Sequence, residues 1–276
     1  MLGAIIGDIV GSAYEFKNER SKGFSPFFHP AARFTDDTVC TVAVADALLR
    51  GSDPAAVLHA WCQKYAENGG WGQRFAMWIT DDNPQPYGSW GNGAAMRISS
   101  VGFLADTEDK VIQWADTATV IKHNHPEAIA SARAVALAIF WARRGITPTE
   151  IADRLTQRFG YDLKQTPDEI RPTYKRTERA SGSVPQAIVC ALQSISFEDA
   201  IRNAVSIGGD SDTIAAIAGS IAEARFEIPK SIAAQAWGFL PQDMRTVVTS
   251  FYADLHSESD LKISDSLNPN SAQEQE

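Results

Sequence analysis

The sequence predicts an all-α protein, and three observations predict it. Apolar residues recur at three- and four-residue spacing along most of the chain. Helix-start signals, a capping residue followed by proline or an acidic residue, precede several of those runs. Alternating apolar and polar stretches of strand type are scarce.

In chain order, the first expected element is the apolar stretch Met1 to Tyr14, striped by Gly3, Gly7 and Gly11. Glycine costs about 1 kcal/mol relative to alanine inside a helix. Three at i, i+4 and i+8 therefore point to a helix packed very closely on another. Ala215, Ala218 and Gly219 supply a second small-residue stripe. Residues 17–34 read as a loop, followed by a helix over Val39 to Leu49. Asp53-Pro54 opens the next helix, which places Val57, Leu58, Trp61, Cys62 and Tyr65 on one face. Residues 79–90 read as a second loop, and residues 89–97 as a glycine-rich turn entering a helix. His125 and Pro126 mark the start of the Ala-rich run 128–143. Thr147-Pro148 begins a helix with Ile151, Leu155 and Phe159 in line. Residues 160–182 read as a third loop, and Ser183 to Gln186 as a capping box opening a helix over Ala187 to Leu192. The last strong helical run is 213–225. No fixed-period repeat and no second-domain boundary is visible, so one domain over 1–255 is expected. Residues 256–276 turn polar and read as a disordered tail.

The chain has 276 residues, with 25 Lys and Arg against 34 Asp and Glu, for a net charge of −9. A chain this long buries roughly 70–75% of its unfolded surface, so a core needs no staple. The acidic balance excludes non-specific nucleic-acid binding, which depends on basic residues neutralising phosphates. Cys40, Cys62 and Cys190 are odd in number, widely spaced and without a C-x-x-C pair, against a disulfide framework or zinc site. The N-terminal apolar stretch contains Asp8, lacks a basic lead and is too short to span a bilayer. A cytoplasmic protein without membrane partners is expected.

Chemistry concentrates in two acidic clusters, each directly before a helical run: Phe34-Thr35-Asp36-Asp37-Thr38, and Gly208-Gly209-Asp210-Ser211-Asp212-Thr213. Capping accounts for one or two oxygens per helix. It does not account for a threonine plus two aspartates at both. The alternative is a hard-cation site, since oxygen-only donors suit Mg²⁺, Mn²⁺ or Ca²⁺ and disfavour Zn²⁺. Four carboxylates balance two divalent ions better than one, and paired ions orient ligand oxygens together with a water. In the turn Ser89-Trp90-Gly91-Asn92-Gly93, glycine permits close approach of backbone N–H groups to an anion, or simply makes a turn. Trp90 either stacks on a base or packs. His123 is a candidate hydrogen-bond donor to phosphate or sugar, and His125 a helix cap. Glu15 lies two turns beyond Asp8, on one side of the glycine-striped helix.

Taken together, these segments resemble the ADP-ribosylglycohydrolase family, whose members include hydrolases of arginine- and serine-linked ADP-ribose. The matching stretches are 3–15, 34–38, 89–97, 122–128, 182–187 and 206–213, in that order. The resemblance implies a compact, single-domain, multi-helix fold with a cleft holding two Mg²⁺ or Mn²⁺ ions. It assigns Thr35, Asp36, Asp37, Asp210, Asp212 and Thr213 to the metals. It makes Glu15, Asp36 and Asp210 the candidate catalytic carboxylates. It places Trp90, Gly91, Asn92, Gly93, His123, Gly209 and Ser211 against the ligand. The implied reaction cleaves the C1″ bond of an ADP-ribosylated protein, nucleic acid or small conjugate, releasing ADP-ribose. A non-catalytic ADP-ribose-binding protein and a hydrolase of another phosphorylated nucleoside are the alternatives. The stretch 16–34 and the loop 164–182, with Tyr174, Lys175 and Arg176, are candidates for shaping the acceptor side.

Overall fold

The computed structural model describes residues 1–67 and 70–257. Those residues form helices joined by turns and loops, with a single isolated bridge, Gly91 to Arg179, in place of any strand. The helices are Leu2–Ser12 (α1), Asp36–Arg50 (α2), Pro54–Lys64 (α3), Gln73–Thr80 (α4), Gly93–Met96 (α5), Ser99–Leu104 (α6), Glu108–Val120 (α7) and Pro126–Ala142 (α8). They continue with Pro148–Phe159 (α9), Pro167–Ile170 (α10), Ala180–Leu192 (α11), Phe197–Ser206 (α12), Ser211–Glu223 (α13), Lys230–Phe239 (α14) and Gln242–Ser257 (α15). No described helix is long and apolar enough to cross a membrane.

The centre of the molecule is the pair α1 and α13, each buried along its whole length. Their small-residue stripes meet in antiparallel register, with Gly3 opposite Gly219, Gly7 opposite Ala215 and Gly11 opposite Ser211. A Cβ at any of the three α1 glycines would overlap the backbone of α13. The Ser211 hydroxyl donates to the Gly11 carbonyl at 2.9 Å and ties the contact at that end. At the other end Glu223 accepts from the Gly3 N–H at 2.7 Å, and the Leu2 N–H reaches Tyr252 Oη at 3.0 Å. Helices α2, α8, α11 and α12 pack around this pair and complete the core.

Most expected helix starts are realised with the expected chemistry. Asp53 accepts from the Ala55 N–H at 3.1 Å, Thr147 from Glu150 at 3.3 Å, and His125 Nδ1 from Glu127 at 3.2 Å. Three expectations need correction. Ser183 does not open a helix. The helix α11 begins at Ala180, and the Ser183 hydroxyl donates back to the Arg179 carbonyl at 2.9 Å, with Pro185 inside the helix. The loop expected over 160–182 is therefore shorter, and it contains the capped turn α10, whose Thr166 and Glu169 side chains cap each other's backbone. Glu15 is not on the glycine-striped helix, because α1 ends at Ser12 and Glu15 lies in the turn beyond it. The helix α15 continues to Ser257, and the rest of the expected tail, 258–276, lies outside the described residues. The three cysteines are free and buried, with Cys40 and Cys62 Sγ 3.9 Å apart between α2 and α3.

Candidate functional site

The antiparallel register of α1 on α13 delivers the C-terminal end of one helix to the N-terminal end of the other. Glu15 and the Asp210–Thr213 cluster thereby share one end of the molecule. Asp8, buried in the middle of α1, brings in the third element. It accepts from the Thr35 N–H at 2.8 Å, the Thr35 hydroxyl at 2.7 Å and the Thr38 N–H at 3.1 Å, and from the Thr38 hydroxyl. One carboxylate thus pins the start of α2 against α1. With its lone pairs so used, Asp8 acts as a cap that aims Asp36 and Asp37 rather than as an open ligand.

The result is two adjoining acidic triads, Asp8 with Asp37 and Asp212, and Glu15 with Asp210 and Asp212. Within each, one oxygen per residue lies within 4.8 Å of the others. Thr213 Oγ1 donates to Asp37 Oδ2 at 3.1 Å, while Asp37 Oδ1 is buried with no partner. Burial pushes Asp37 and Asp212 well above the ordinary carboxylate range, and their acidic neighbours push them further. Burial lifts Asp210 to about 7 against the lowering effect of the Asn92 amide and Arg176, and lifts Asp8 to about 6 against its four donors. The donor set is all oxygen, concentrated, buried and short of cations. An orphaned carboxylate oxygen inside it fits a hard divalent ion, which would restore the ionised forms. Both α2 and α13 also turn their positive ends toward this point.

A cleft of about 540 Å³ opens from the acidic end. Of the residues singled out by sequence, Glu15, Asp36, Asp37, Trp90, Gly91, Asn92, Gly93, His123, Asp210, Asp212 and Thr213 line it. Three do not. Thr35 is buried below the wall, bound to Asp8. Ser211 is fully buried and holds α1 to α13. Gly209 sits at φ +81° beside Gly208 at +73°, a left-handed pair that only glycine adopts readily, packed under Tyr174 and Arg176. The paired glycines therefore turn the chain into α13.

The facing wall is built by backbone pairing. The Asn92 N–H donates to the Glu178 carbonyl at 2.9 Å, and the Ala180 N–H to the Trp90 carbonyl at 3.1 Å. This joins the glycine turn to the loop 171–179, and the Asn92 amide reaches on to Asp210 Oδ2 at 2.6 Å. Of the backbone N–H groups of this turn, that of Asn92 is consumed in the pairing, and α5 after it is a single turn. The His123 ring packs on Gly93, where a Cβ would stand 3.3 Å from it. Burial, with Lys122 and Arg97 nearby, holds His123 well below its ordinary value, so it is neutral.

Several cleft residues escaped the sequence reading. Lys122 is buried with its ammonium 3.0 Å from the centre of the Phe75 ring, and burial brings it down to about 7. It opens the 122–128 stretch that carries the resemblance but is given no role there, since lysine is usually exposed. Phe16, Phe75 and Tyr87 also line the cleft and carried no signal. Asp8 did carry one, as an acid inside an otherwise apolar helix. Arg176, expected at the rim, bonds Glu15 Oε1 at 2.6 Å, whereas Tyr174 is buried against the Gly209 turn and neither it nor Lys175 lines the cleft. Arg20, from the loop before α2, donates to the Tyr174 carbonyl at 2.6 Å and to the Arg171 and Ile207 carbonyls. It fastens three cleft-building segments together.

Comparison with known proteins agrees with this architecture. The profile of the ADP-ribosylglycohydrolase family matches residues 1–260. The chain is 25% identical to the ADP-ribosylhydrolase ARH3 of Mus musculus, with 88% of each covered. It is also 25% identical to the ADP-ribosylarginine hydrolase Tri1 of Pseudomonas putida (strain GB-1), over 86% of this chain and 73% of the relative. A solved ADP-ribosylglycohydrolase-related protein complex superposes with a TM-score of 0.70 at 21% identity, covering 92% of this chain and 97% of that one. With two acidic helix starts converging on one cleft and the family profile spanning the described residues, the chain belongs to the ADP-ribosylglycohydrolase family.

Proposed function

We propose that this protein is a divalent-metal-dependent hydrolase that cleaves the C1″ glycosidic bond of ADP-ribosylated substrates and releases ADP-ribose. The observation that carries the reading is the convergence of the two acidic helix starts and Glu15 at one end of a cleft whose other wall holds Trp90, Gly91, Gly93, Lys122 and His123. Asp36, Asp37, Asp210, Asp212 and Thr213 would hold two Mg²⁺ or Mn²⁺ ions, which supply Lewis-acid polarisation of ligand oxygens and of a water, while Thr35, bound to Asp8, fixes the start of α2 behind them. Glu15 accepts the proton of the attacking water, a role worth about 10²–10⁴-fold in rate. Asn92 fixes the orientation of Asp210 through its amide. Neutral His123 offers a hydrogen bond to ribose or phosphate without adding charge. Lys122 supplies a cation for the diphosphate, and the exposed Trp90 a surface for the adenosine end. The substrate is an ADP-ribosylated macromolecule or small conjugate, met in a reducing, cytoplasmic setting that suits three buried free thiols. Residues 1–255 carry the activity.

The test is release of free ADP-ribose from arginine-, serine- and nucleic-acid-linked substrates, with Mg²⁺ and then with EDTA. Metal-dependent release from one of them supports the reading and names the acceptor. Tight ADP-ribose binding with no release from any would leave a binding protein instead.

A further inference from the structure

The two acidic triads differ in what already neutralises them. On the Asp37 side the carboxylates meet neutral donors, Thr35 and Thr38 holding Asp8. The Thr213 hydroxyl holds Asp37 Oδ2 at 3.1 Å and the Thr213 N–H holds Asp212 Oδ1 at 2.9 Å, while Asp37 Oδ1 is unpartnered. The Glu15 side holds a cation supplied by the chain itself. Arg176 Nη2 lies 2.6 Å from Glu15 Oε1, 3.6 Å from Glu178 Oε1 and 3.9 Å from Asp210 Oδ1. Its guanidinium is centred 4.5 Å over the exposed Phe16 ring at the cleft mouth. The loop that carries it does not depend on these ion pairs. Arg20 holds that loop at Tyr174, the Asn92 N–H holds it at Glu178, and Arg179 is paired with Glu127 at 2.9 Å. Arg176 is therefore dispensable for the position of its own loop, and its charge faces the acidic group.

A guanidinium seated between Glu15 and Asp210 and a divalent ion held by Asp210 beside Glu15 cannot occupy the same place. We propose that Arg176 is the resident counter-cation of the Glu15–Asp210 half-site and competes there with a divalent metal ion. The half-sites then fill in sequence, Asp37–Asp212 first and Glu15–Asp210 second. Filling the second displaces Arg176 toward Glu178 and solvent. This rests on the metal-site reading proposed above and adds an order of binding and the residue that sets it.

The experiment is a Mn²⁺ titration of the full chain, stripped with EDTA and desalted, with free Mn²⁺ counted by electron paramagnetic resonance. Wild type is expected to show two binding classes separated by about tenfold or more. Arg176→Gln is expected to tighten the weaker class about fivefold and leave the stronger within about twofold, the upper end for losing one partly exposed ion-pair cluster. Arg176→Lys, which keeps the charge, stays close to wild type, and far-ultraviolet circular dichroism checks the fold of both. Equal affinity of both classes in wild type overturns the proposal, as does an unchanged or weakened second class in Arg176→Gln. Absence of Mn²⁺ binding in all three proteins overturns the metal-site reading itself and this inference with it. Binding in two classes that ignores Arg176 overturns this inference alone.

Discussion

Replacing Gly7 by alanine tests whether the contact between α1 and α13 is as close as the fold requires. The added methyl would stand 2.6 Å from Ala216 N and deeper still into the Ala215 carbonyl, where ordinary contacts begin near 3.4 Å. Neither neighbour is a flexible side chain, so the two helices must part by about an ångström. Overpacking a rigid site costs about 1–3 kcal/mol, and two backbones in contact put this one at the upper end. The helix-propensity gain of alanine over glycine returns about 1 kcal/mol. The net loss is about 2 kcal/mol, or roughly 4–8 °C in melting temperature for a domain of this size. Gly238 supplies the control, because it lies in α14 with nothing within 4 Å of a built Cβ. Gly238→Ala should hold or raise the melting temperature, by at most about 4 °C. Calorimetry of both variants, with EDTA and with Mn²⁺, gives the comparison. Gly7→Ala should also bind Mn²⁺ more weakly, because the same register sets Glu15 beside Asp210. A Gly7→Ala variant that melts at or above Gly238→Ala would refute the close-packing argument.

The remaining predictions concern the acidic site. Asp212 belongs to both triads, so Asp212→Asn should weaken Mn²⁺ binding by more than about 100-fold while keeping its helical content; near-wild-type Mn²⁺ affinity would remove Asp212 from the site. The metal-free protein should lose stability as pH rises from about 4 toward 7. Burial raises the folded pKa values of Asp8 (to about 6), Asp36, Asp37, Asp210 (to about 7) and Asp212, so their contribution is full below the unfolded value and is lost on rising through the folded one. The depressed His123, Lys122 and Met1 amine work in the opposite direction, against five raised carboxylates. Divalent ions should therefore stabilise more at pH 7.5 than at pH 5, and equal gains at both would contradict this balance. Arg20→Lys leaves one ammonium where a guanidinium served three carbonyls. It should cost about 2 kcal/mol, roughly 4–8 °C, and expose the 171–179 loop to limited proteolysis, with unchanged cleavage counting against a fastening role.

The sequence by itself determined the helical class, because proline, threonine and aspartate at positions such as Asp53-Pro54 and Thr147-Pro148 act through backbone groups one to three residues away. It also determined that oxygen donors gather before α2 and α13, since identity and helix onset are both local. The glycine stripe of α1 announced a close neighbour, and α13 carried the matching stripe. Only the tertiary structure decided that these stripes meet antiparallel, and that register puts Glu15, lying beyond its helix, beside Asp210. Lys122, Phe16 and Phe75 were not legible because nothing in a lone lysine or phenylalanine says which cavity it will line. Ser211 and Thr35 illustrate the opposite case. They stand inside acidic motifs, yet their hydroxyls serve Gly11 and Asp8, because a helix presents neighbouring residues in different directions and only some of them face the cleft. Local chemistry is written along the chain, whereas the sharing of a cleft is a property of helix register and of the few polar contacts, such as Asp8 and Arg20, that lock it.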